Sequence, residues 1–84
     1  MEIKNIVNQF NSTIIMYQLK RHQLSVTCYT ENGANGIVLQ SRDDDDNVFT
    51  EDYLTVDSEY NAAVIAKQVA KRTNLPFKLE GSYA

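Results

Sequence analysis

The chain has 84 residues, enough for one small domain whose core needs no disulfide or metal to fold. Apolar residues make up 43% and charged residues 23%, which excludes a disordered chain, and no apolar run nears the roughly 18 residues of a membrane-spanning helix. The formal net charge of −3 conceals a segment, residues 43–59, with eight acids and no base, set in a remainder with three acids and eight bases. Such asymmetry bears on association more than on fold.

The N-terminus carries Glu2 and Lys4 among its apolar residues, which is not the pattern of a signal-peptide core. Cys28 has no second cysteine to pair with, so no oxidising compartment is implied and a cytoplasmic protein is expected. Residues 2–10 read as a short amphipathic helix, because Ile3, Ile6, Val7 and Phe10 follow the i, i+3, i+4, i+7 pattern. It is expected to end at Asn11 or Ser12. From Thr13 the residues become β-branched and aromatic, so residues 13–20 are predicted to be a strand with Ile15, Tyr17 and Leu19 on one face. Arg21 and His22 then sit at a turn. Residues 22–30 alternate cleanly, with Leu24, Val26 and Cys28 on one side and Ser25, Thr27 and Tyr29 on the other. Residues 31–36, ENGANG, are predicted to form a hairpin loop, and 36–41 the third strand.

Asp43 to Asp46 form the next connection, and residues 48–56 a fourth strand. Its alternation is imperfect: Phe49 and Tyr53 share one face, and Val48, Leu54 and Val56 the other, which suits a bulge. A second helix follows, capped by Asp57 or Ser58 with Glu59 in its first turn. Its apolar stripe is Ala62, Ile65, Ala66 and Val69, and Lys71 and Arg72 compensate the dipole in its last turn. Asn74 fits the left-handed position after it, and Leu75-Pro76 stops it. The tail, residues 77–84, offers a fifth edge strand through Phe77, Leu79 and Tyr83. The expected fold is α+β: a single domain over residues 1–84, with a four-stranded antiparallel meander and both helices against one face.

No catalytic signature appears, and no enzyme activity, cofactor or metal is expected. His22 is the only histidine, so no Cys/His metal cluster can be drawn. Cys28 beside Val26 reads as a buried structural thiol, and nothing local supports a Cys28–His22 nucleophile pair. The calcium-loop frame also fails: counting from Asp43, the sixth residue is Val48 where glycine is required, and the twelfth is Leu54 where glutamate is required.

The order α-β-β-β-α is similar to that of double-stranded-RNA-binding domains. That family places a lysine cluster at the start of its last helix to meet phosphate. The corresponding residues here are Asp57, Ser58, Glu59 and Tyr60, of the wrong sign. A nucleic-acid-binding module remains the alternative reading, using Lys20, Arg21 and His22 (residues 20–22) with Lys67, Lys71 and Arg72 (residues 67–72).

The plain reading of the acidic segment is a solvated loop that keeps the protein soluble and protects a strand edge. Two features pull against it. The acids continue beyond the loop, and concentrating them costs self-repulsion. Asp43, Asp44, Asp45, Asp46, Glu51, Asp52, Asp57 and Glu59 are therefore expected to form one partner-binding surface, with Tyr53, Tyr60 and Phe49 as aromatic anchors. Carboxylates on a rigid scaffold can imitate the phosphates of a duplex and dock to the basic groove of a nucleic-acid-handling host protein. In size and charge the chain resembles small phage and mobile-element proteins that block host defence or transcription, including anti-CRISPR and DNA-mimic proteins. That resemblance implies a non-enzymatic inhibitor or modulator.

Overall fold

The computed structural model describes residues 2–17, 23–31, 34–57 and 61–78. These form α1 (Ile3–Tyr17), β1 (Gln23–Glu31), β2 (Ala34–Arg42), β3 (Val48–Val56) and α2 (Ala62–Thr73). The sheet has the order β1-β2-β3, antiparallel throughout, so the fold is α+β with two helices and three strands among the described residues.

The first helix is longer than its sequence suggests. Residues 13–17, expected to open a strand, are the last turns of α1, and residues 18–20 lie outside the described residues. The stripe of Ile3, Ile6, Val7 and Phe10 continues four residues on at Ile14, which is buried, while Ile15 is 67% exposed. A strand would have turned Ile15 inward with Tyr17. Packing of the helical stripe outweighs the weak helix propensity of the β-branched run.

The β1–β2 hairpin is tighter than expected. Glu31 pairs with Ala34, so Ala34 and Asn35 belong to β2 and not to a loop ending at Gly36. Gly36 pairs with Tyr29, whose ring occupies the space a Cβ on Gly36 would need. A glycine in a strand weakens it, and an aromatic from the neighbouring strand restores the lost packing.

The expected bulge lies in β3. Leu39 pairs with Asp52 but Gln40 pairs with Thr50, which leaves Glu51 as the extra residue. The bulge resets the alternation. Val48 pairs with Arg42 and Tyr53 with Val38, so both lie on the outer side, whereas Phe49 pairs with Ser41 on the side of Leu54 and Val56. Val48 and Phe49 thus exchange the faces that simple alternation assigns them.

Helix α2 begins at Ala62, capped by Asn61, whose side chain accepts from the Ala63 and Val64 amides at 3.0 and 3.3 Å. Asp57 is instead an exposed residue after β3, and Ser58 lies outside the described residues, so neither is the observed cap. The C-terminal end is as expected: Asn74 is left-handed (φ 60°), Leu75 N–H returns to the Ala70 carbonyl at 3.0 Å, and Lys71 and Arg72 occupy the last turn. Beyond Pro76, Phe77 forms a single parallel bridge to Val26 on the outer edge of β1. Leu79 and Tyr83 lie outside the described residues.

Both helices pack on the face of Val26, Ile37, Leu39 and Val56, with α1 over β3, α2 over β1 and β2, and the helices against each other. Phe10, Ala66 and Val69 fill the layer between. Burial separates the two isoleucines in α1. Ile14→Ala should cost roughly 2–4 kcal/mol by urea denaturation, as buried Ile-to-Ala changes do, and Ile15→Ala should leave stability nearly unchanged. The reverse order would restore the strand.

Candidate functional site

The acidic residues occupy one edge of the molecule, but they do unequal work there. In the β2–β3 turn the Asp43 carboxylate folds back on its own backbone: Oδ1 accepts from the Asp45 and Asn47 amides, each at 2.9 Å, and Oδ2 from Asn47 Nδ2 at 3.0 Å. Aspartate stabilises turns by such local bonds. Asp46 takes a left-handed conformation (φ 64°), and its carboxylate lies 3.6 Å from the Arg42 guanidinium. Asp44 and Asp45, at the tip, are exposed.

Glu51 and Asp52 on β3 are also engaged. Glu51 Oε1 accepts from Ser41 Oγ at 2.8 Å, and partial burial pushes its carboxyl above the ordinary value. Asp52 reaches toward α1, accepting from Gln9 Nε2 at 3.0 Å and Thr13 Oγ1 at 3.3 Å, and also from the Tyr53 amide at 2.9 Å. It anchors the helix to the strand across some forty residues of sequence. Asp57 is exposed at the far end of β3, and Glu59 and Tyr60 lie outside the described residues.

The described acids of residues 43–57 therefore follow β3 from end to end, a length of roughly 30 Å at ~3.3 Å per residue, and do not gather at one point. Their outward members are Asp44, Asp45, Asp46 and Asp57. Beside them Val48 (42% exposed), Phe49 (45%) and Tyr53 (61%) present apolar surface on the same strand.

A groove that the sequence does not announce runs between α1 and the edge of β3. It encloses about 290 Å³ and is lined by Glu2, Asn5, Ile6, Gln9, Leu54 and Thr55. Only the fold brings residues of the first helix against the third strand, so no local pattern could have revealed it.

Apart from Arg42 beside Asp46 and Lys4 on α1, the described bases lie elsewhere. Lys67, Lys71 and Arg72 are exposed on α2, and Lys78 is exposed on the segment along β1. Lys67 Nζ stands 5.6 Å from the centre of the Phe77 ring, within cation–π range. Since α2 covers β1 while the acids of residues 43–57 follow β3, the base cluster of α2 and the acidic segment lie toward opposite edges of the sheet. Residues 20–22 lie outside the described residues.

Cys28 is half-buried; burial raises its thiol pKa and the nearby Lys67 ammonium partly offsets this. Among the described residues no group of three or more His, Cys, Asp or Glu side chains could hold a metal ion. The observed element order coincides with that of double-stranded-RNA-binding domains, yet the first turn of the last helix holds Ala62, Ala63 and Val64 where that family has lysines. Comparison with protein-family models, curated proteins and solved structures found no match.

Two of these acids make distinct predictions. Asp52→Ala strips Gln9 and Thr13 of their shared acceptor and should cost about 1–2 kcal/mol by chemical denaturation, while Asp45→Ala at the tip should leave the unfolding curve unmoved. Glu51 has a folded pKa above its unfolded one, so the native state holds its proton more tightly and charging it as pH rises costs stability. Glu51→Gln keeps an acceptor for Ser41 and should raise Tm at neutral pH. That gain should shrink as pH falls from neutrality through the raised native pKa toward the ordinary glutamate range, below which both native and unfolded carboxyls are protonated.

Proposed function

We propose that the protein is a small non-enzymatic interaction module that docks on the basic surface of a nucleic-acid-handling protein. It would act as an inhibitor or modulator, in the manner of DNA-mimic and anti-CRISPR proteins. The observation that carries this reading is the outward display of carboxylates at the two ends of β3, Asp44, Asp45 and Asp46 in the turn before it and Asp57 after it. Asp43 spends its charge ordering the turn, and that ordering holds Asp44, Asp45 and Asp46 outward on a fixed backbone. A preorganised row of charge binds with less entropic cost than a floppy one. Exposed Phe49 and Tyr53 beside the row supply the apolar contact on which interface energy usually rests. Long-range attraction between such an edge and a basic groove speeds association and weakens with salt.

A second reading rests on one observation, the exposed cations Lys67, Lys71 and Arg72 on α2. These would contact phosphate in a nucleic-acid-binding module. Their position at the C-terminal end of a helix has an ordinary electrostatic reason as well.

The two readings separate cleanly by substitution. Replacing Asp44, Asp45 and Asp57 by Asn spares Asp43 and therefore the turn. Wild-type protein immobilised as bait should capture a nucleic-acid-handling protein at low salt, lose it at raised salt, and release it to added duplex DNA. The Asn variant should capture little. Equal capture by both proteins would reduce the aspartates to solvated surface. Direct binding of the wild type to DNA or RNA by fluorescence anisotropy, lost when Lys67, Lys71 and Arg72 become Gln, would establish the second reading instead.

A further inference from the structure

We infer that the partner contacts this protein through an extended segment of alternating basic and apolar residues, which pairs with the outer edge of β3 over residues 52–56 as an added strand. This rests on the acidic-surface reading and specifies what the surface takes. Strand β3 is nine residues long and, among the described residues, pairs only with β2. Half of its backbone N–H and C=O groups therefore face away from β2. The Tyr53 N–H is taken by the Asp52 carboxylate at 2.9 Å, so an added strand would exchange that local bond or pair through the remaining groups of residues 52–56. The opposite edge of the sheet differs, because Val26 N–H bonds the Pro76 carbonyl and Lys78 N–H the Val26 carbonyl, each at 2.9 Å.

An exposed edge is normally blunted with lysine, proline or a very short strand. β3 has none of these. It carries the bulge at Glu51, which breaks the regular ladder and leaves residues 52–56 as the longer unbroken run. That run adjoins the groove of Glu2, Asn5, Ile6, Gln9, Leu54 and Thr55. Side chains of an added strand alternate between faces, so every second one enters this groove. There the apolar flanks of Ile6 and Leu54 suit an aliphatic stem, and the exposed Glu2 suits a cationic head. The intervening side chains meet exposed Tyr53 on the other face.

Charge decides the occupant. A second copy pairing edge to edge would set Glu51, Asp52 and Asp57 of one chain near the same acids of the other, and like charges on neighbouring strands are destabilising. A basic strand meets those acids favourably. Peptide recognition by strand addition draws affinity from main-chain bonds and specificity from alternate side chains.

The probe is an acetylated peptide alternating Lys and Val, set against the same sequence N-methylated at every residue, which keeps the charge and removes the backbone donors. The parent peptide should bind at low salt and slow amide exchange within residues 52–56, and the methylated peptide should bind roughly tenfold or more weakly. Equal binding by both would overturn strand addition while leaving the acidic surface as a charge-driven site. No binding by the parent would also overturn it, and the acidic-surface reading would then stand or fall on the capture experiment alone. Protection of residues 52–56 that grows with protein concentration and no peptide would assign the edge to a second copy, and so reject the proposal.

Discussion

One face of a three-stranded sheet cannot be left in water when it carries Val26, Ile37, Leu39 and Val56, and neither helix alone covers it. The two helices lie side by side across that face and touch each other, so Phe10 of α1 and Val69 of α2 are both completely buried. In a chain of this size, burial is the dominant favourable term and each buried side chain matters. The helices are individually marginal: α1 contains three asparagines and a β-branched run, and a 12-residue α2 is short for independent stability. Packing on the sheet makes them helices, and their cover makes the sheet a core.

The same packing sets the electrostatic layout. With α1 over β3 and α2 over β1, the acid-rich strand and the lysine-bearing helix are pushed to opposite edges. Charges of opposite sign that could have neutralised one another through salt bridges are held apart. The described ion pair, Arg42 with Asp46, is long at 3.6 Å and mostly solvated, and such surface pairs contribute little. The fold thus preserves the dipolar character of the sequence. It also explains why two acids do not stand outward, although their charge stays at that edge. Asp52 is drawn under α1 to satisfy Gln9 and Thr13, and Glu51 is turned to Ser41 by the bulge.

What the sequence reveals depends on the range of the interaction behind each feature. Strands β1 and β2 and the body of α2 are legible because alternation, helical stripe, left-handed Asn74 and Pro76 are all local signals. The bulge is legible for the same reason, since it disturbs the alternation of β3. The extent of α1 is not, because residues 13–17 have strand-like side chains and only the fit of Ile14 into the core decides their form. One clue was present: Ile14 extends the stripe from Phe10 by four residues. The α2 cap is not legible either, since Asp57, Ser58 and Asn61 are all capable caps and only backbone geometry at Asn61 discriminates. As for the acids, their number and span are plain in the sequence, and so is the turn chemistry of Asp43 in principle. The bonds from Asp52 to Gln9 and Thr13 join residues too distant for any pattern to show.

The edge of β3 raises a problem of selectivity that charge alone resolves. A lysine on an edge strand repels copies of itself but also a basic partner, and proline would forbid pairing with anything. Acids and a bulge act differently. Glu51 and Asp52 make self-pairing unfavourable, and the bulge shortens the stretch on which an unrelated flat strand could template. Neither obstructs a strand of opposite charge. An edge protected in this way is closed to its own kind and open to a basic segment, so solubility and recognition place the same demand on these residues. That shared demand gives a physical reason for carrying acids in and on both sides of β3 while tolerating exposed Val48, Phe49 and Tyr53 among them. Specificity of this type is a difference between affinities, built as much from the repulsive element as from the attractive one.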